Sequence, residues 1–153
     1  MAVTSSIPAF LDGLKALLVA RAGIIGPPLV TVATGDLGTE TPREAIVLYG
    51  APTAEREEVG MRGPAGFSYD HNVAVAGAIW IVKPGQGEVV IKQARDRAFA
   101  LLAEIDGGLA ADPKVGGSCY FAAVTGDVLE QGANDDGRWC QISFVITYRA
   151  RLV

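Results

Sequence analysis

The chain has 153 residues, of which 50% are hydrophobic and 20% are charged, and its formal net charge is −4. This length fits one domain, residues 1–153, that can bury ~68–70% of its unfolded surface and needs no disulfides or metal ions for stability. The composition argues against a disordered chain. The negative charge argues against a nucleic-acid-binding groove, which is normally built on a basic stripe.

The first part of the chain predicts a helix followed by two strands. Ser6 and Pro8 form a helix start, and apolar residues follow at three- and four-residue spacing, with Gly23 as the expected stop. These apolar residues are Phe10, Leu14, Leu17 and Leu18. Residues 29–34 and 44–49 then predict strands, joined by a turn-rich connection over residues 35–42.

Residues 50–66 predict a long connection, because the segment has several Gly and Pro residues and no hydrophobic periodicity. It contains the charged run Glu55-Arg56-Glu57-Glu58, with Arg62 shortly after it. A loop of this length is usually functional or disordered. We expect either a solvated charged loop or an arm that makes charge-complementary contacts with a neighbouring subunit.

The middle of the chain predicts a long strand and a long helix. Over residues 67–82 one face of the strand carries His71, Val73 and Ile79, with Gly77 in the same row, where a glycine suggests a bulge or the close approach of another backbone. Residues 88–106 carry the apolar stripe of an amphipathic helix. We expect this helix to end at Gly107 and Gly108, although Leu109 would continue the stripe.

The end of the chain predicts a long hairpin. Residues 120–131 form one strand, residues 132–137 a turn, and residues 138–153 a strand in which apolar and polar residues alternate, with Val145 as the exception. Its apolar face is Cys140, Ile142, Phe144, Ile146, Tyr148, Ala150 and Leu152. Strands grouped between two helices favour an α+β fold, with a mostly antiparallel sheet of long strands and both helices on one face.

The sequence offers no credible catalytic or cofactor site, so we expect a protein that is not an enzyme. His71 is the only histidine, and on a strand its neighbours Ser68 and Asp70 would point to the opposite face, which defeats a Ser-His-acid site. One His and two Cys do not supply four zinc ligands. The Gly85-Gln86-Gly87 turn lacks the third glycine of a dinucleotide fingerprint, since Val90 stands there.

Cys119 and Cys140 are the only cysteines, and we expect them to be reduced and buried. No basic segment precedes the first apolar stretch, and no apolar run approaches the ~20 residues that cross a bilayer. We therefore expect synthesis in a cytoplasm-like compartment, with no contact with a membrane.

Four further residues are candidates for contacts with other molecules. Asp135 and Asp136 lie in the predicted hairpin turn, where they serve turn geometry or form an acidic surface that faces a partner or a channel. Phe99 and Trp139 fall off the main apolar faces and belong either to an association surface or to the core. Both alternatives stay open for each residue.

Four stretches resemble the tail terminator proteins of siphovirus-type bacteriophages. They are the opening helix (residues 7–18), the strand of residues 45–49, the helical segment of residues 93–105, and the hairpin of residues 134–138 with its long strand. The resemblance covers nearly the whole chain, but none of the stretches is a signature motif.

The resemblance implies a structural virion protein at the neck of the tail, made in the host cytoplasm. Proteins of this family form a ring, typically of six subunits, that caps the tail tube, stops its polymerisation and docks to the head connector. The implied partners are further copies of the chain, the tube protein and the connector or stopper protein, with DNA only passing through the lumen. Another head–tail junction protein (an adaptor, a stopper or a minor tail protein) remains the main alternative, ahead of a small ligand-binding domain.

Overall fold

The computed structural model describes residues 5–25, 29–39, 42–61 and 66–152. Three helices and five strands follow in the order α1 (Ile7–Val19), α2 (Ala22–Ile25), β1 (Thr31–Ala33), β2 (Glu44–Met61), β3 (Phe67–Lys83), α3 (Glu88–Ala111), β4 (Phe121–Asn134) and β5 (Gly137–Leu152). The strands form one sheet in the order β1-β2-β3-β5-β4. Only the β1–β2 pair is parallel, so the predicted α+β fold with a mostly antiparallel sheet is confirmed.

β3 and β5 are the central pair of the sheet. They pair from Tyr69↔Leu152 to Lys83↔Arg138 without a register shift. Every second residue of β5 from Cys140 to Leu152 is buried, which confirms the predicted alternation. The same holds on β3, where the buried face from His71 to Ile81 lies against the matching face of β5.

The helices cover this apolar face of the sheet, which we call the helix face. Phe10, Leu14 and Leu18 of α1 are fully buried, and α3 contributes Ala94, Ala98, Leu101 and Ile105 to the same hydrophobic cluster. The ring of Phe10 stacks on that of Tyr148 with 3.8 Å between the centroids. The other side of the sheet, which we call the open face, carries the alternate residues of each strand, among them Ala74, Ala76 and Ala78.

Position 77 of β3 requires a glycine because the ring of Phe144 of β5 lies directly over it. A Cβ atom at Gly77 would lie 2.4 Å from Cζ of Phe144, which is its partner across the ladder. The sequence predicted a bulge or the close approach of another backbone at Gly77, whereas the close neighbour is a side chain. Phe144 is 1% exposed and fills the space over the glycine.

Several predicted boundaries are wrong. Residues 50–61 continue strand β2, with register shifts after Leu48 and Gly50 and after Glu58, so the predicted loop is mostly strand. The segment has no hydrophobic periodicity because residues 52–59 are exposed on both faces. The turn of the last hairpin comprises only Asp135 and Asp136, since β4 runs to Asn134 and β5 begins at Gly137.

The glycines near the helix ends pack helices together instead of stopping them. α1 ends at Val19, and Gly23 lies inside α2, where a Cβ atom would be 2.5 Å from the Glu104 side chain. α3 continues past Gly107 and Gly108 to Ala111. A Cβ atom on Gly108 would meet Leu17 of α1 at 2.4 Å, so the glycine permits the close contact of the two helices.

The first testable prediction concerns Gly77. The substitution Gly77→Ala should destabilise the protein by about 1–3 kcal/mol, because the new methyl group overpacks the core against Phe144. The free energy of unfolding from urea titrations measures the effect. Gly50→Ala is the matched control, since a Cβ atom there meets nothing within 4 Å. Equal stabilities of the two variants would contradict the proposed role of the glycine.

Candidate functional site

The charged run of the sequence lies along the exposed part of β2. Arg56 is paired with His71 and therefore lies on the helix face, as does Glu58, whereas Glu55 is paired with Asn72 and lies on the open face. The run thus sends charges to both sides of a strand rather than into a loop. Arg62 lies outside the described residues.

The predicted turn residues and Trp139 meet at the opposite end of the sheet. The indole of Trp139 is half-buried and stacks on Trp80 with 5.2 Å between the ring centroids. Asp136 and Trp80 line a cavity of about 640 Å³ on the open face, together with Arg43 and Val47. The lining of the cavity combines apolar side chains with one guanidinium group and one carboxylate.

Phe99 stands apart from both groups. It lies on α3 with 38% of its surface exposed, so it is neither a core residue nor a fully exposed one. The charged run and the hairpin turn are also distant from each other. Arg56 lies in the same row of the sheet as Ala150 of β5, through His71, whereas the turn directly precedes Gly137. At ~3.3 Å per residue, this separation is about 40 Å. The predicted residues therefore form three separate surfaces and no single site.

An ionic cluster that the sequence analysis did not find lies on the open face. Asp70 is 3% exposed, and its Oδ1 accepts a hydrogen bond from Nε of Arg151 at 2.9 Å. Its Oδ2 accepts from Arg149, with 2.8 Å to Nε and 2.6 Å to Nη2. Glu57 of β2 lies 3.4 Å from the same Nη2. The cluster ties three adjacent strands together.

The two guanidinium groups control the ionisation of Asp70. Burial by itself raises the pKa of this carboxyl group, but the hydrogen bonds and positive charges of Arg151 and Arg149 outweigh it, so the pKa of Asp70 is lower than its ordinary value. The carboxylate is therefore ionised throughout the neutral range. Arg151 also lies 5.8 Å from the ring centroid of Tyr120, within the range of a cation–π contact.

A second polar group is buried beneath the start of α1. Ser6 Oγ lies 2.7 Å from Nδ1 of His71 and 2.9 Å from the hydroxyl oxygen of Tyr148. The backbone N–H of Ser6 also donates to Nδ1 at 3.4 Å, so this nitrogen is an acceptor. Burial, and then the positive charge of Arg56, lower the pKa of His71. The imidazole of His71 is therefore neutral, and in this form it accepts the hydrogen bonds that hold the start of α1 in place.

Neither polar group was accessible to reasoning from local sequence. The alternation does place Asp70, Arg149 and Arg151 on polar faces, but these residues are 79 and 81 positions apart along the chain. Their contact depends on the register between β3 and β5. Opposite charges on the polar faces of two long strands are the one signal that could have suggested the pairing.

The described residues do not form an evident reaction centre. Among them, no group of three or more His, Cys, Asp or Glu side chains is placed to hold a metal ion. Cys119 and Cys140 are free and buried, as predicted, and burial raises the pKa of both thiols. Within the same ranges, no helix is long and apolar enough to cross a membrane.

Comparisons with known proteins identify a related fold. No protein-family model and no curated protein shows detectable similarity to the sequence. Among solved structures, the chain is similar to a chain of the virion of a native gene transfer agent particle, with a TM-score of 0.58 and 11% sequence identity. The match covers 97% of this chain and 99% of that one. At this identity, the likeness establishes a common fold.

The second prediction tests the ionic cluster. Asp70→Asn should lower the free energy of unfolding at neutral pH by about 1–3 kcal/mol, because two partly buried guanidinium groups lose their counter-charge. Since the pKa of Asp70 is lowered in the folded state, its contribution is present above the unfolded value of ~3.9 and is lost as the pH falls through the folded value. Denaturant titrations from pH 7 to pH 2 should show the two proteins converging in acid.

The matched control for Asp70 is Glu57→Gln, whose side chain is 63% exposed. We expect this substitution to change stability by less than ~0.5 kcal/mol. An Asp70→Asn variant as stable as the control at pH 7 would contradict the importance of the cluster.

The third prediction concerns His71. Its pKa is lowered in the folded state, so its contribution is fully present above the unfolded value of ~6.5 and is lost as the pH falls toward the folded value. Protonation would place a hydrogen on Nδ1 against the N–H of Ser6. His71→Asn keeps an acceptor near this position and removes the titration, so the loss of stability between pH 7 and pH 5 should largely disappear. As His71 is the only histidine, an unchanged slope would contradict the assignment.

Proposed function

We propose that this protein is a structural protein of a tailed phage-like particle, and that it acts as a tail terminator. In this role, copies of the chain form a ring, with six subunits as the expected number, on the end of the tail tube. One side of the ring binds the tube and stops its growth, while the other side offers a different surface that docks to the head connector. The protein would therefore reside at the neck of the virion.

The observation that carries this proposal is the extent of the fold match. The similarity to a chain of a gene transfer agent virion runs over 97% of this chain and 99% of the other, so the two proteins share their whole architecture and not one motif. The resemblance of four stretches of the sequence to tail terminators supports the same kind of particle.

The physical features of the chain suit a ring. A closed ring uses head-to-tail contacts, in which each subunit contributes two different complementary surfaces. The exposed length of β2 with Glu55, Arg56 and Glu58 is our candidate for one contact with a neighbour, and Arg62 would extend it. Phe99 is a candidate for a second contact. The net charge of −4 suits a lumen through which DNA passes without binding.

The hairpin end of the sheet is our candidate for contact with the tube or the connector. Asp135 and Asp136 form an exposed acidic tip, and the half-buried Trp139 lies beside the cavity lined by Trp80. Aromatic side chains such as Trp are enriched in the central part of protein interfaces, and polar residues form the rim around them.

The fourth prediction concerns assembly. The mass of the purified protein, measured by light scattering over a concentration series, should reach that of a ring of about six subunits, and negative-stain images should show the rings. Added to polymerising tail tubes of the matching particle, the protein should bind their ends and limit their length, because the capped end offers no further tube-binding surface.

The proposal would be wrong if the protein stayed monomeric at all concentrations and neither bound tube ends nor changed tube length. Binding to the connector alone, with no effect on tubes, would instead favour an adaptor or stopper at the same junction.

A further inference from the structure

The described part of the sheet has a free edge on each side. β1 pairs with β2 only from Thr31↔Ala45 to Ala33↔Val47, so within the described residues the outer side of β2 beyond Val47 has no strand beside it. At the other end of the sheet, β4 pairs with β5 and with no other strand of the described ranges. A free edge presents unpaired N–H and C=O groups that can bind another strand.

The directions of the two edge strands allow them to pair between copies. β2 is antiparallel to β3, β3 to β5, and β5 to β4, so β2 and β4 run in opposite directions. When two copies stand side by side in the same orientation, β4 of one is antiparallel to β2 of the next. In an antiparallel sheet, the residues of one row point their backbone groups alternately toward one neighbouring strand and the other. Because the run β2-β3-β5-β4 has an even number of strands, the residues with outward-pointing backbone groups at its two edges have their side chains on the same face of the sheet. A joint between the edges would therefore keep the open faces on one side.

We propose that β4 of one copy adds to residues 53–57 of β2 in the next copy, with Asp127 opposite Arg56. This inference deepens the proposed function, since it rests on the assembly of copies into a ring. Both stretches are regular: residues 53–57 of β2 and their partners, residues 126–130 of β4, contain no register shift. Arg56 and Asp127 both lie on the helix face, so opposite charges meet on the same side of the joint.

The charges disfavour one of the two registers that differ from this one by two residues. With Asp127 opposite Arg56, Glu55 lies opposite Val128, and no carboxylate faces another. A shift of two residues would place Glu55 opposite Glu130 and Glu58 opposite Asp127. Directly opposed like charges destabilise a strand pair, whereas opposite charges contribute ~0.2–1 kcal/mol.

The remaining features of the two edges limit pairing to this stretch. β1 covers the first residues of β2, and Pro52 supplies no N–H to a ladder. The charged run discourages pairing with unrelated strands, as charges on edge strands generally do. Val128 is 61% exposed in the single chain and would be covered in the joint.

The fifth prediction is a cross-linking experiment on the full-length protein. In Glu55→Cys/Val128→Cys, the two positions lie directly opposite across the proposed joint, at a Cα separation of ~4.5–5.5 Å that a disulfide can span. Both native residues are exposed, and both native cysteines are buried. Mild oxidation should give a ladder of covalent oligomers on a non-reducing gel, and the final band should have the mass of the ring.

Two controls make the result specific. Glu55→Cys/Gln131→Cys moves the second thiol three residues along β4 and onto the opposite face, and it should give at most a trace of the ladder. Val128→Cys alone should give no covalent dimer, whereas a dimer would show that β4 pairs with β4 of a second copy and would overturn the proposal.

The failure of this inference can be distinguished from the failure of the proposed function. Rings of the expected mass without a cross-link between positions 55 and 128 would overturn the edge pairing and leave the ring intact. A covalent ladder without closed rings would support the edge pairing and count against the terminator. The absence of both rings and cross-links would refute both.

Discussion

The ladder between β3 and β5 is the constraint on which the rest of the structure depends. It runs without a register shift from Tyr69↔Leu152 to Lys83↔Arg138 and sets which side chains share each face. Because side chains alternate with a period of two, a slip of one residue would move the whole apolar set of β5 to the other side. Gly77 under Phe144 makes the register specific, since the space that the ring occupies exists at that one pair.

The two faces of the sheet bury their polar groups in different ways. On the helix face, Ser6, His71 and Tyr148 form a neutral hydrogen-bonded group that positions the start of α1. On the open face, the buried carboxylate of Asp70 is paired with two arginines. In both cases, a buried polar atom has partners that remove the cost of its desolvation. Both groups are at the end of the β3–β5 ladder where β5 finishes, so this end is held by specific polar contacts as well as by packing.

The proposed assembly role uses the edges of the sheet that these contacts do not cover. Helices cover one face of the sheet, but the described edges of β2 and β4 remain open, and they differ in sequence, charge and direction. A surface with two unlike, antiparallel edges can extend head to tail, as a ring requires. In the proposed joint, the charged run of β2 would determine which strand can pair with that edge and in which register.

Local sequence determined α1, α3, the five strands, the apolar alternation of β3 and β5 and the burial of both cysteines. It did so because burial against a core imposes a period on the residues, and that period is visible wherever one face is buried. It did not predict the short helix α2, where Gly23 was expected to be a helix stop. Tertiary structure alone decided the rest. Residues 53–59 are strand although they have no buried face, since their partner β3 holds them in the ladder. Gly107 and Gly108 lie within α3 because Leu17 and Arg21 pack against them. The Asp70 cluster follows from a register between segments about 80 residues apart, which no local pattern encodes.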